Sequence, residues 1–191
     1  MTGSTTPEVN DVGDLVVTEP GALRLLAEPG SLELFDHLSR RDPATAAELS
    51  VALGSGEPDT EDRLGRMADF GLAKRHDGGR WATTGRGIFF EIPDDPEGAL
   101  AARALSNVML ARYDDLPRRW LLDDEPRLDT DWARASGLLN AGFTATADEL
   151  RAIQEELERV LTPYTSRRPE DAPEGSRRVR VLSYFLPSAP S

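Results

Sequence analysis

Between residues 43 and 92 the chain places two short helical patterns, a glycine-rich break and a hairpin signal in direct succession. The first pattern opens with Thr45-Ala46-Ala47-Glu48, in which threonine and glutamate have the spacing of a capping box. The break is Gly54-Ser55-Gly56. The second pattern runs from Asp59 to Phe70 and ends at Gly71, a residue type that favours the left-handed end of a helix. Few folds accommodate this order of elements.

The hairpin signal follows the second helical pattern directly. Lys74-Arg75 and the segment Arg80 to Thr83 flank Asp77-Gly78, a dipeptide that favours a tight turn between two strands. Two short helices joined by a tight turn and followed by a two-stranded hairpin predict a winged helix-turn-helix. In this interpretation the second helix is the recognition helix and the hairpin is the wing.

Composition divides the chain into three predicted regions. Residues 1–14 carry three acidic and no basic side chains and are rich in Thr, Gly and Ser, which is typical of a disordered arm. Residues 15–93 form the predicted winged helix-turn-helix domain, in which helices starting near Thr18 and Ser31 precede the helix-turn-helix. A Pro-Asp cluster after residue 92 marks the boundary.

Residues 94–191 predict a helical region for dimerisation and effector binding. Its first element is a long helix, Glu97 to Tyr113, and its end reads as strand, helix, strand. Alternating residues around Phe143 predict the first of these strands, and Val179 to Phe185 predict the last, which we expect to pair with the first. Between them, a capping box opens a helix with apolar residues at core spacing: Leu150, Ile153, Leu157, Val160 and Tyr164. The predicted fold class is therefore mainly α with small β.

The distribution of charge sets a condition on any nucleic-acid partner. The formal net charge is -12, residues 15–93 hold 9 basic against 13 acidic side chains, and residues 94–191 hold 13 against 18. Phosphate contacts dominate the affinity for DNA and need Lys or Arg. Because no region is basic overall, DNA binding requires a local basic patch.

Several classes of function find no support in the residue types present. The chain has no cysteine and only two histidines, His37 and His76, so a metal sensor would lack ligands. Without a nucleophile motif or a cofactor loop, we expect neither an enzyme nor a bound cofactor. No apolar run reaches the ~18 residues of a membrane helix and the first residues lack a signal peptide, so we expect a soluble cytoplasmic protein without a membrane partner.

The candidate DNA-binding residues lie on the recognition helix and the wing: Thr60, Arg63, Arg66, Lys74, Arg75 and Arg80. An arginine fork suits guanine edges and phosphates alike, which favours base or phosphate contacts for Arg63 and Arg66. Their spacing equally allows both to pair with the acidic residues of their own helix and to do nothing more. The sequence leaves these two interpretations evenly balanced.

The wing carries the strongest local basic patch, formed by Lys74, Arg75 and Arg80. Wings commonly contact the DNA backbone or the minor groove, which favours that role over a plain polar hairpin. On the recognition helix, the apolar spacing predicts which positions are buried: Thr60, Leu64, Met67 and Gly71. The same spacing predicts that Arg63 and Arg66 point outward, together with the acidic residues around them.

The order of these elements resembles that of the ArsR-like winged-helix transcriptional regulators. The residues that carry the resemblance lie between about 16 and 92: Leu23 to Ala27, Ala44 to Leu49, Leu53-Gly54, Leu64 to Met67, Gly71-Leu72 and Trp81 to Gly87. The tail resembles that of actinobacterial members with long C-terminal extensions. The resemblance implies a homodimer that binds a palindromic double-stranded operator and represses transcription, without sensing metal. It leaves open whether a small-molecule effector binds.

The sequence departs from the family pattern in three ways, and the first of them favours an alternative. The predicted recognition helix begins with Glu57-Pro58-Asp59-Thr60-Glu61-Asp62, where family members usually carry Ser and Thr with basic or aromatic residues. Ser31 stands where the family often has an arginine, and the metal ligands are missing. Carboxylates repel phosphates, so the alternative is a winged-helix protein-interaction module that has lost DNA binding.

Overall fold

The computed structural model describes residues 7–11, 13–39, 43–90, 92–167 and 169–189. It is mainly helical and has two small three-stranded sheets, which confirms the coarse fold class. The helices within the described residues are α1 (Pro20–Ala27), α2 (Ser31–Leu38), α3 (Ala46–Leu53), α4 (Glu57–Asp69), α5 (Pro96–Tyr113), α6 (Leu116–Arg119), α7 (Thr130–Ala135) and α8 (Ala147–Thr165). None of them is both long and apolar enough to cross a membrane.

The six strands described are short: β1 (Glu8–Val9), β2 (Leu15–Val16), β3 (Ala44–Thr45), β4 (Ala73–His76), β5 (Arg80–Thr83) and β6 (Ile88–Phe89). One sheet has the order β1-β2-β6, in which β2 pairs antiparallel with β1 and parallel with β6. The other has the order β3-β5-β4 and is antiparallel throughout. Part of the predicted disordered arm therefore forms strand β1, because its backbone pairs with Leu15–Val16.

Local side-chain chemistry accounts for the positions of the helices that precede the hairpin. The predicted capping box of α3 is confirmed, since the Thr45 backbone donates to Glu48 at 2.8 Å and the Glu48 backbone donates to the Thr45 hydroxyl at 3.2 Å. Gly71, after α4, has a φ of 70°, as expected for a left-handed helix end. The sequence places the Thr18 hydroxyl where it could cap α1, but the cap is Glu19, whose carboxylate accepts from the Ala22 backbone at 2.7 Å. The sequence also places Arg40-Arg41 at the predicted negative end of the second helix, and these two residues lie outside the described part of the chain.

The hydrophobic core gathers one face of each helix from α1 to α5 and one side of the hairpin. Its largest fully buried side chains are Phe35, Leu15, Leu23, Leu25, Leu26, Leu34, Leu38, Leu49, Leu64, Met67, Leu72 and Leu105. Three of the four residues predicted to lie on the buried face of α4 are buried, namely Thr60, Leu64 and Met67, whereas Gly71 lies beyond the end of the helix and is half-buried. Helix α4 and the hairpin therefore pack on the same core and contact each other.

Helix α5 belongs to the same core. Its buried residues Ala101, Ala102 and Leu105 lie on the side that packs against α1, and Arg24 of α1 forms an ion pair with Glu97 of α5 at 2.7 Å. The chain accordingly divides into compact units at Met1–Thr144 and Ala145–Ser191. The division lies well after the boundary predicted near residue 93, because α5 completes the core of the first unit.

The predicted pair of strands near the C-terminus is absent from the described residues. The segments 136–146 and 176–189 carry no regular secondary structure, so Phe143 and Val179 to Phe185 do not form a sheet. Alternation of apolar residues was the only signal for these strands, and most of their apolar side chains are exposed, with Leu182 and Phe185 half-buried. Alternation favours a strand only where one face can be buried. The helix between them, α8, is confirmed with its capping box at Thr146.

Candidate nucleic-acid interface

The candidate interface consists of α4 and the β4–β5 hairpin, which follow each other in the chain and pack together. Helix α4 begins after the left-handed Gly54 and the extended Gly56, which redirect the chain after α3. The hairpin turns through Asp77–Gly79, where Gly78 and Gly79 have φ values of 74° and 73°. These glycines allow a turn that most residue types would resist. The predicted hairpin around Asp77-Gly78 is thus present.

Thr60 lies inside the first unit. Its side chain is 2% exposed, and its hydroxyl donates to the Gly56 carbonyl at 2.9 Å and lies 2.8 Å from the Ser55 hydroxyl. The hydroxyl therefore ties the first turn of α4 to the α3–α4 connection. Direct contact of Thr60 with a groove would require this turn to open, so we assign the residue to the support of α4.

Arg63 is also directed inward, contrary to the predicted outward orientation. Its guanidinium donates to the Pro29 carbonyl, to the Ser31 hydroxyl at 3.4 Å and to the Asp59 carboxylate at 3.1 Å. Its side chain is only 19% exposed. The cause is the position of the α1–α2 turn, which passes beside α4 and offers oxygen acceptors that the helix sequence does not reveal.

Arg66 lies one turn further along α4 and is more accessible. Its two terminal guanidinium nitrogens donate to the two carboxylate oxygens of Glu28, and one of these hydrogen bonds measures 2.8 Å. The Arg66 side chain is 43% exposed. Hydrogen bonds from Arg66 lower the pKa of Glu28, and the same bonds raise the pKa of Arg66. A carboxylate with a lowered pKa is ionised at neutral pH, so the pair is fully charged there.

Glu61 joins α4 to the hairpin. One carboxylate oxygen accepts from the indole N–H of Trp81 at 3.1 Å, and the other lies 3.2 Å from a guanidinium nitrogen of Arg75. The Arg75 guanidinium also lies over the Trp81 ring, 5.5 Å from its centre. Because Trp81 is 4% exposed, this cluster anchors the hairpin in the core while most of Arg75 faces solvent.

The remaining basic residues of the hairpin are exposed. Arg80 donates to the Pro43 carbonyl at 2.6 Å and lies 3.2 Å from a carboxylate oxygen of Glu48. Hydrogen bonding from the Thr45 backbone, with a smaller effect of Arg80, lowers the pKa of Glu48. Lys74 is exposed on β4. The hairpin therefore presents three accessible cations, two of which carry a carboxylate of this chain as counter-ion.

The sequence did not single out Glu28 and Glu61 as partners of the basic residues. Glu28 is 38 residues from Arg66, and Glu61 is 20 residues from Trp81, so neither has a local spacing signal. The solvent face of α4 is acidic, as predicted, with Glu57, Asp59 and Asp62 exposed. On the same helix Gly65 has open space where a side chain would stand.

An effector site receives little support from the described residues. The cleft between the α1–α2 turn and the start of α4, which includes Arg63, has a volume of about 120 Å³, and an open hollow beside Asp131, Trp132 and Ala135 has a volume of about 240 Å³. Ligand pockets commonly measure roughly 300–1,000 Å³. The sequence offers four large side chains for an effector site: Met109, Tyr113, Trp120 and Trp132. Met109 packs against the core and the Tyr113 hydroxyl donates to Asp36 at 3.2 Å, so neither lines an open cavity, whereas Trp132 borders the second hollow. Within the described part of the chain, no three His, Cys, Asp or Glu side chains are grouped to hold a metal ion.

Comparison with known proteins adds no relationship: no protein-family model and no curated protein matches this sequence. The geometry of α4 and the hairpin is therefore what bears on the class of this protein.

Proposed function

We propose that this chain is a homodimeric, DNA-binding transcriptional regulator of the ArsR-like winged helix-turn-helix type, acting as a repressor. The order α3, α4, β4, β5, with β3 completing the sheet of the hairpin, is the arrangement in which a helix and a wing contact adjacent parts of a duplex. The observation that carries the proposal is the Glu61 bridge from α4 to Trp81 and Arg75. The hydrogen bond from Trp81 to Glu61 holds the helix and the hairpin as one binding surface, also when Arg75 exchanges Glu61 for a phosphate.

DNA binding by this surface proceeds through exchange of counter-ions. Arg66, Arg75 and Arg80 each form an ion pair with a carboxylate of this chain. In these pairs the arginine side chains are 43%, 59% and 45% exposed. Exposed ion pairs of this kind contribute little to stability, because water and salt screen the two charges. Replacing such a carboxylate by a DNA phosphate therefore costs little. Arg63 has three partners and little exposure, so it stays with the α1–α2 turn.

The homodimer is proposed to form through the exposed side of α5. The side opposite the core carries Leu100, which is 68% exposed, and Leu110, which is 50% exposed. The sequence places an apolar stripe on this helix, Ala101, Leu105 and Val108, and these residues pack in or against the core of the first unit, so they are not free to form the interface. In a symmetric dimer the two α4 helices would enter successive major grooves, with half-sites about 10 bp apart from centre to centre.

The substitution Arg66→Ala tests whether Arg66 recognises the DNA sequence. Selection of bound sequences from a random DNA pool at low salt is expected to give a palindrome with this spacing. On that sequence Arg66→Ala should weaken binding by about 1–3 kcal/mol and should affect unrelated DNA much less, because an arginine on the recognition helix contacts base edges. Gel shifts on both sequences measure the difference.

Arg24→Ala is the matched control for Arg66→Ala. Arg24 is an exposed arginine that is likewise paired with a carboxylate, but it lies on α1. Its replacement should leave the affinities for the selected DNA and for unrelated DNA within about twofold of the wild-type values. Equal losses for Arg66→Ala on selected and unrelated DNA would assign Arg66 to phosphate contacts and would contradict its role in reading sequence.

The second candidate function is a winged-helix module that binds a protein partner. The observation that favours it is the charge of this surface: Glu28, Glu61 and Glu48 already neutralise three arginines, and the solvent face of α4 is acidic. A basic partner would fit this surface without displacing any carboxylate. If the low-salt selection yields no bound DNA, this candidate replaces the regulator.

A further inference from the structure

Three glycines lie inside α-helices of the described chain, and two of them have a structural reason to lack a side chain. A Cβ at Gly21 in α1 would lie 2.8 Å from the Phe70 ring, and a Cβ at Gly98 in α5 would lie 2.7 Å from the Pro93 side chain. Both distances are shorter than the contacts that real Cβ atoms make. Close packing within the protein therefore explains these two glycines.

Gly65, the third of these glycines, has no such reason within the described chain. It lies inside the 13-residue helix α4, its backbone does not adopt a positive φ, and an added Cβ would have open space around it to 4 Å. Glycine is less favourable than alanine inside a helix, because it loses more backbone freedom on folding. The free protein would thus be more stable with a side chain at this position.

The position of Gly65 on α4 places it in the proposed binding surface. Gly65 follows Glu61 by four residues, so the two lie on the same face of the helix. Glu61 is the residue that accepts from Trp81 and so joins α4 to the hairpin. Arg66, the accessible arginine of this helix, comes directly after Gly65. On a helix with 3.6 residues per turn, Gly65 therefore lies on the arc between the hairpin contact and Arg66.

We propose that the DNA duplex makes its closest approach to the backbone of α4 at Gly65, where any side chain would hold the helix and the duplex apart. The inference rests on the proposed function and adds a positioning residue to it. Glycine is the residue that lets a backbone come close to a ligand. The short distance brings the guanidinium of Arg66 within reach of base edges while the hairpin lies against the neighbouring phosphates.

Gly65→Ala is expected to stabilise the free protein and to weaken DNA binding. The added methyl group has open space in the free protein, so the thermal midpoint of unfolding should rise by about 1–4 °C. In the complex the same methyl group meets the duplex, so the affinity for the selected duplex should fall about tenfold or more, as overfilling a close contact does. Circular dichroism measures the midpoint, and fluorescence anisotropy measures the affinity on the same preparation.

Val51→Ala is the matched control, because it also introduces alanine at an exposed position of a helix but removes atoms instead of adding them. Its affinity should stay within about twofold of the wild-type value. Unchanged affinity of Gly65→Ala, beside a wild-type protein that binds, would overturn the close approach and leave the regulator standing. A lower thermal midpoint would show that a contact within the protein requires this glycine and would also overturn it. Absence of wild-type binding would overturn the proposed function, and this inference with it.

Discussion

Replacement of Leu64 by alanine is expected to destabilise the first unit by about 2–5 kcal/mol. Leu64 lies in the middle of α4 on the face that meets the core, and its side chain is fully buried. Alanine would remove the transfer free energy of the lost methyl groups and leave a cavity that the packed helices cannot fill. Urea denaturation followed by circular dichroism measures the free energy of unfolding.

Val51→Ala is the matched control for this substitution. Val51 belongs to α3, the helix that packs beside α4, but its side chain is 84% exposed. Its replacement is expected to change the free energy of unfolding by less than about 0.5 kcal/mol. If Leu64→Ala lowers the free energy of unfolding no more than Val51→Ala does, the buried face of α4 is assigned incorrectly.

Arg63→Ala is expected to cost about 1.5–3 kcal/mol of stability. The guanidinium of Arg63 donates to the Pro29 carbonyl, the Ser31 hydroxyl and the Asp59 carboxylate, and these hydrogen bonds connect α4 to the α1–α2 turn. Hydrogen bonds of a charged group are worth more than neutral ones, and the loss of the donor leaves a turn carbonyl unsatisfied. Thermal and urea denaturation both report the loss.

The stability of Arg66→Ala, compared with that of Arg63→Ala, distinguishes the accessible Arg66 from the structural Arg63. The Arg66–Glu28 pair is exposed on both sides, at 43% and 39%, so its removal should cost less than about 1 kcal/mol. Stability that falls more for Arg66→Ala than for Arg63→Ala would reverse the roles given to these two residues.

Local signals in the sequence were sufficient for much of the fold. The Thr45 and Thr146 capping boxes, the left-handed Gly71 and the glycine turn of the hairpin each depend on residues within four positions of one another. The buried face of α4 followed from the periodicity of Thr60, Leu64 and Met67. These features are predictable because the interactions that determine them are local.

Features that depend on distant parts of the chain were not predictable. Glu28 reaches Arg66, and the Pro29 carbonyl reaches Arg63, only because the α1–α2 turn packs beside α4. The expected strand at Val179 to Phe185 rested on alternation alone and lacked a partner within the described residues. Pairing between distant segments is set by tertiary packing, which a local pattern does not encode.

The salt dependence of DNA binding tests the proposed surface most directly. Fluorescence anisotropy with the selected duplex, from about 50 to 200 mM salt, should give a falling affinity for the wild-type protein. Arg75→Ala and Arg80→Ala should each weaken binding to all sequences and make the slope of log K against log salt shallower by about one. Arg24→Ala should keep the wild-type slope. Absence of binding at the lowest salt, or slopes that are unchanged in both hairpin variants, would contradict DNA binding by α4 and the hairpin.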